Sequence, residues 1–200
     1  MKKGLKIALI VVLIIALVVG GCFVFLNLTK KQALETVDEM FTAIKTGDKE
    51  KIKQYINIED STEEEAKENT EDEEMQRVML KNLNYEVIST DVKFNECIVK
   101  LNVSNKNLKT VFGNYITKAF SLAFSQAFGA MTEEEMNNQL QQYFEEQYDS
   151  DSTETITSEI TINMKKESGK WNITCDEDAF VEAVLPGYEE VVESLNSISE

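Results

Sequence analysis

ITINMKKESGKWNITC, Ile160–Cys175, decides the fold. Ile160, Ile162 and Met164 alternate with Thr161, Asn163 and Lys165, the period of a strand with one buried face. Glu167-Ser-Gly-Lys170 supplies the small residues of a tight hairpin turn. Trp171, Ile173 and Cys175 then alternate on the returning strand. A link this short joins antiparallel neighbours. The same signature occurs upstream. Tyr85–Val92 and Glu96–Ser104 alternate as strands around the turn Lys93-Phe94-Asn95, with Cys97, Val99, Leu101 and Val103 on one side. The chain therefore holds an antiparallel sheet of about four strands.

Helical spacing fills the rest. Residues 32–46 place Ala33, Val37, Met40, Phe41 and Ile44 on one face before Gly47. Asp48 can cap the next helix, with Ile52, Tyr55 and Ile56 on one side. Between the two strand pairs lies a long helical insertion. Leu108–Met131 has a broad apolar face that includes Val111, Phe112, Tyr115, Phe120, Phe124 and Phe128, and it is expected to be the core helix that covers the sheet. Thr132 and Glu135 form a capping box that starts a second helix, with Met136, Leu140, Tyr143 and Phe144 on one side. Asp176 can cap a helix through Phe180, Val181, Val184 and Leu185. Pro186-Gly187 ends it, and Tyr188–Ile198 forms a last amphipathic helix. Helices grouped apart from strands define an α+β domain.

The N-terminus has a different character. From Ile7 to Leu28 no residue is charged, and Lys2, Lys3 and Lys6 precede the run. A helix of this length covers about 33 Å, enough for a hydrocarbon core of about 30 Å. Residues 1–31 thus read as a signal anchor with a transmembrane helix over 7–28, and residues 32–200 as one domain. The lysines favour an N-terminus inside the cell and a C-terminal domain outside it, a single-pass cell-membrane protein. Val19-Gly20-Gly21-Cys22 also fits a lipoprotein processing site, with Cys22 as the lipidated residue. The apolar Phe23-Val-Phe-Leu26 after it favours the uncleaved helix, because a lipoprotein leaves the membrane on a polar tether.

Charge and composition exclude several functions. The chain has 20 Lys+Arg and 36 Asp+Glu, and five of the lysines precede Gln32. A body this acidic repels nucleic-acid phosphates and anionic lipid headgroups, so no nucleic acid is expected as partner. Without His, the usual nucleophile activator, metal ligand and neutral-pH proton shuttle are missing. No metal-ligand spacing is present, and neither metal nor cofactor is expected. Residues 59–74 are acidic but lack the Gly punctuation of a calcium loop, and so does Asp149-Ser-Asp151. Both read as solvated segments. Cys97 and Cys175 fall in register with the apolar strand faces and read as buried free thiols; a disulfide would need adjacent strands.

Two stretches resemble a known family. ALETVDEMFTAIKTGDKEKIKQYI (33–56) resembles the opening helix pair of the nuclear-transport-factor-2-like (cystatin-like) superfamily. ITINMKKESGKWNITCDEDAF (160–180) resembles its closing hairpin, and AFVEAVLPGYEE (179–190) is similar to membrane-anchored or lipoprotein members from Firmicutes. The resemblance implies a helix-backed, curved sheet with a concave side. It carries over no catalytic residue, because enzymatic members place Asp, His, Tyr or Arg inside the cone and no such motif is matched.

The expected role is non-enzymatic: a membrane-anchored extracytoplasmic module that binds a protein, a peptide or a cell-envelope component. The alternative is a small apolar ligand held in the concave pocket by Phe112, Tyr115, Phe120 and Phe124, with Trp171 near its rim, in a protein held as a lipoprotein through Cys22. An enzyme built on paired carboxylates is the least favoured reading, because pairs arise by chance among so many acids.

Overall fold

The computed structural model describes residues 3–55 and 70–198, with side chains over 24–55 and 74–197. Its elements are α1 (Lys3–Thr46), α2 (Lys49–Tyr55), α3 (Thr70–Leu80), β1 (Asn84–Val92), β2 (Glu96–Lys106), α4 (Leu108–Ala127), α5 (Glu133–Asp149), β3 (Thr155–Glu167), β4 (Lys170–Thr174), α6 (Glu177–Val184) and α7 (Tyr188–Ile198). The four strands form one antiparallel sheet in the order β1-β2-β3-β4, and α4 and α5 are inserted between its two central strands. The domain is α+β, with the strand pairs in the expected places.

Register follows the alternation. Cys97, Val99 and Leu101 of β2 oppose Met164, Ile162 and Ile160 of β3, and Met164 opposes Ile173 of β4. One apolar face results. The opposite face carries Lys100, Asn102, Thr161 and Asn163. In β1 a bulge between Val87 and Ser89 adds Ile88 as an extra residue, and Ile88 is exposed. Ser168 and Gly169 both take positive φ, 51° and 86°, as a two-residue hairpin turn requires.

Helix α1 makes this sheet a domain. Its Ala33, Val37, Met40, Phe41 and Ile44 join the strand residues and Phe180, Ala183 and Val184 of α6 in one buried cluster. The helix is also held along its length by polar contacts. Lys166 Nζ donates to Gln32 Oε1 at 2.6 Å, and Tyr85 OH donates to Asp38 Oδ1 at 2.7 Å. The Tyr85 ring stacks on Phe41 at 4.4 Å. At the end of α1, Gly47 turns the chain at φ 67°, and Asp48 Oδ1 caps α2 by accepting from Lys51 N.

The arrangement corrects one expectation. Helix α4 does not cover the sheet; it packs chiefly on α5 and α7, and it ends at Ala127 rather than Met131. The physical reason lies in the sheet. Its single apolar face is already filled by α1 and α6, and its other face is polar, so nothing remains for α4 to cover. Of the acidic run, residues 59–69 lie outside the described residues, and Thr70 opens α3. Among the described residues no helix is long and apolar enough to cross a membrane. Most of the expected span 7–28, Cys22 included, falls on residues 1–23, whose side chains are not described; the backbone of α1 runs through it as helix.

Asn105 ties three elements together at the end of β2. It is fully buried on the apolar face, where its Nδ2 donates to Met79 O of α3 at 2.9 Å and to Val184 O of α6 at 2.7 Å. Its Oδ1 accepts from Lys106 N. Asn105→Ala orphans these buried groups, and each such loss costs about 1–3 kcal/mol. Chemical denaturation of this variant should therefore show a loss of about 2–4 kcal/mol with the slope unchanged. A loss within experimental error would contradict this role.

Candidate functional site

The helical insertion forms an arm rooted at the β1/β2 sheet end opposite the Lys93–Asn95 turn. Asn107 caps α4 by accepting from Thr110 N, and Leu108 N donates to Pro186 O at 2.7 Å. Gly187 lets the chain pass close: a Cβ there would lie 2.8 Å from Lys109 Cβ, and its φ is 85°. This fixes the start of α4 against the α6–α7 turn. Leu108, Val111, Phe144, Tyr148, Val191 and Val78 form a second buried cluster at the base of the arm, with Phe112 and Tyr115 packed beside it. Tyr115 meets Phe144 edge-on at 5.8 Å. The expected capping box is present at the start of α5, and two hydrogen bonds from Thr132 hold the Glu135 carboxyl below its ordinary value.

Beyond this base the aromatic face is open. Phe120, Phe124 and Phe128 are 67%, 67% and 84% exposed. Phe120 and Phe124, four residues apart, align on one side of α4, and Phe128 stands at its C-cap. Next in sequence stand Glu133, Glu134 and Glu135 in the first turn of α5.

The five aromatic residues expected to line a pocket are thus not gathered in one place. Phe112 and Tyr115 belong to the base of the arm, and Phe120 and Phe124 face outwards. Trp171 is buried in the sheet core, with Lys166 Nζ 5.6 Å from its ring. Two hollows lie nearby. A cleft of about 200 Å³ between α3, α4 and α5 is lined by Met75, Tyr115, Leu140 and Phe144, among others. An open groove of about 630 Å³ lies between α1, α2 and the β3–β4 turn. Glu35, Glu39, Tyr55 and Lys166 line this groove, and Tyr55 OH donates to Glu39 Oε2 at 2.7 Å. That bond, with burial and the Glu39 charge, pushes the phenol up to about 12. A phenol this hard to ionise is poorly suited to proton transfer at neutral pH.

Among the described residues no cluster of His, Cys, Asp and Glu could hold a metal ion. At the Asp149-Ser-Asp151 break the Lys106 ammonium donates to Ser150 O and Thr153 O. A side-chain cation therefore occupies the backbone carbonyls at this break.

Cys97 is buried and Cys175 half-buried, and both are free. Burial pushes both thiols up, helped by Asp91 at Cys97 and by Glu177 and Asp176 at Cys175. Cys97 rises from 9.0 to about 11 against the opposing charge of Lys30. The folded state thus retains a proton that the unfolded chain gives up. Stability from this group is intact below pH 9.0 and is lost as pH rises towards about 11. Denaturation midpoints measured across this window should fall with pH, and more steeply in the wild type than in Cys97→Ala. Equal slopes would contradict the account.

No protein-family profile and no curated protein matches the chain. Among solved structures it is similar to one described as a "putative lipoprotein" (ycdA) from Bacillus subtilis, with 17% identity and a TM-score of 0.36. The match covers 56% of this chain and 34% of that one. A likeness of this degree carries no argument about fold or role, and the NTF2-like resemblance is not confirmed by a family match.

Proposed function

We propose that the chain is a membrane-anchored extracytoplasmic module that binds a protein or peptide of the cell envelope through the α4–α5 arm and performs no catalysis. The observation that carries this reading is the exposure of Phe120 and Phe124 on α4 and of Phe128 at its C-cap, at the far end of a helix whose base is firmly packed. Three large rings left in water at one end of a helix are costly for a chain with no use for them. Their acidic flank gives the partner a basic character. The anchor rests on the 22 uncharged residues from Ile7 to Leu28 and on the helical backbone of α1 through them. The NTF2-like assignment rests on the paired helices α1 and α2 and on the closing hairpin β3–β4. The small-ligand alternative needs an open apolar sheet face, and α1 and α6 fill that face.

A photo-crosslinking residue placed at position 124 of the full chain, in the membranes of its own cells, tests the arm. Position 124 should give one adduct of defined mass, and position 102 on the polar sheet face none. Phe120→Asp and Phe128→Asp should lower the yield about ten-fold or more, as expected for removal of an aromatic anchor. Equal adducts from positions 124 and 102, or yields indifferent to both substitutions, would overturn the proposal.

A further inference from the structure

The α1 helix meets the sheet at an unexpected place. Phe25, near the end of the apolar run, stacks on Phe94 at the tip of the β1–β2 hairpin, with ring centroids 5.1 Å apart and planes at 23°. Phe94 is 76% exposed despite this contact, and Val24, Phe25, Leu26 and Leu28 are exposed beside it. The tip thus presents an aromatic ring at the level of the last apolar turn of α1.

The second hairpin ends at the same side. Glu96 pairs with Lys165, Lys166 N donates to Asn95 O at 2.8 Å, and Glu167 pairs with Lys170 across the β3–β4 turn. Lysines gather around this end: Lys30, Lys31, Lys93, Lys165, Lys166 and Lys170, with Lys30 within electrostatic range of Cys97 on the sheet. Glu35, Glu39, Asp91, Glu96 and Glu167 are the acids among them, against these six lysines. Lys31 pairs with Glu35 and Lys165 with Glu167, while Lys30, Lys93 and Lys170 make no ion pair among the described residues. The local balance is positive in a body with 15 Lys+Arg against 36 Asp+Glu from Gln32 onward.

We infer that this end of the domain is a lipid-docking face. Phe94 enters the membrane interface beside Phe25, and Lys30, Lys93 and Lys170 reach the phosphates of anionic lipids. The inference rests on the anchor reading of the preceding subsection and goes beyond it: the domain is seated on the bilayer rather than tethered above it. Continuity with the apolar run argues for lipid as the occupant. A helix that leaves the bilayer near Leu28 holds Phe94 one turn below its exit, and aromatic rings and lysine ammoniums are the groups that suit the interface. Both tips are short turns with few other apolar side chains, which fits shallow insertion better than a protein interface.

The test uses the full chain reconstituted into phosphatidylcholine vesicles with and without phosphatidylglycerol. Trp171→Phe removes the native fluorophore, and Phe94→Trp or Phe128→Trp places a new one. With docking, the residue at position 94 is quenched by lipids brominated high on the acyl chain, more strongly with phosphatidylglycerol, and the residue at position 128 is not. Replacing Lys93 and Lys170 by Gln lowers the docked-to-undocked ratio about five-fold per lysine. If Trp171→Phe unfolds the chain, Phe94→Trp with Trp171 kept is read as the difference from wild type. A chain that resists carbonate extraction while position 94 remains unquenched overturns the docking and leaves the anchor standing. A chain that carbonate removes from the vesicles overturns the anchor and the docking together.

Discussion

The packing of α1 on the sheet is the constraint on which the rest of the structure depends. A four-stranded sheet with one apolar face must cover that face, and Ala33, Val37, Met40, Phe41 and Ile44 supply the main cover. The same helix contains the apolar N-terminal run. The apolar run and the core-packing residues are therefore two parts of one continuous helix. The bonds from Lys166 to Gln32 and from Tyr85 to Asp38, together with the Phe41–Tyr85 stack, fix the rotation of the helix on the strands.

Filling one face had consequences for the other elements. The opposite sheet face stays polar because nothing packs on it. The insertion between β2 and β3 packs elsewhere, with Leu108, Val111, Phe144 and Tyr148 against Val78 of α3 and Val191 of α7. That core reaches only the first half of α4. The second half leaves Phe120 and Phe124 exposed.

The parts of this fold governed by short-range rules were legible in the sequence. The hairpin at Glu167–Lys170, the capping box at Thr132, the cap at Asp176 and the strand faces around Cys97 and Ile162 all follow from neighbouring residues. The role of α4 did not. Periodicity shows that a face is apolar and says nothing about which surface meets it, so a stripe of Phe reads alike in a core and on an arm. The second missed feature was Asn105. It continues the buried face of β2 after Val103, yet a polar residue in that register looked like the end of the strand. Only the tertiary positions of Met79 and Val184 reveal the carbonyls it serves. The Phe25–Phe94 contact joins residues 69 positions apart and could not be read from either local stretch.

The central claim is that α1 passes from the apolar run into the domain core as one unbroken helix clamped to the sheet. Hydrogen exchange of the full chain in a bilayer tests it directly, read at the α1 amides from Leu26 to Ile44. The account predicts continuous protection across this stretch, with the amides beyond Gln32 exchanging as slowly as those of β2. A fast-exchanging segment around Leu28–Gln32 between two protected stretches would contradict it, because the apolar run and the domain would then be joined by a flexible link.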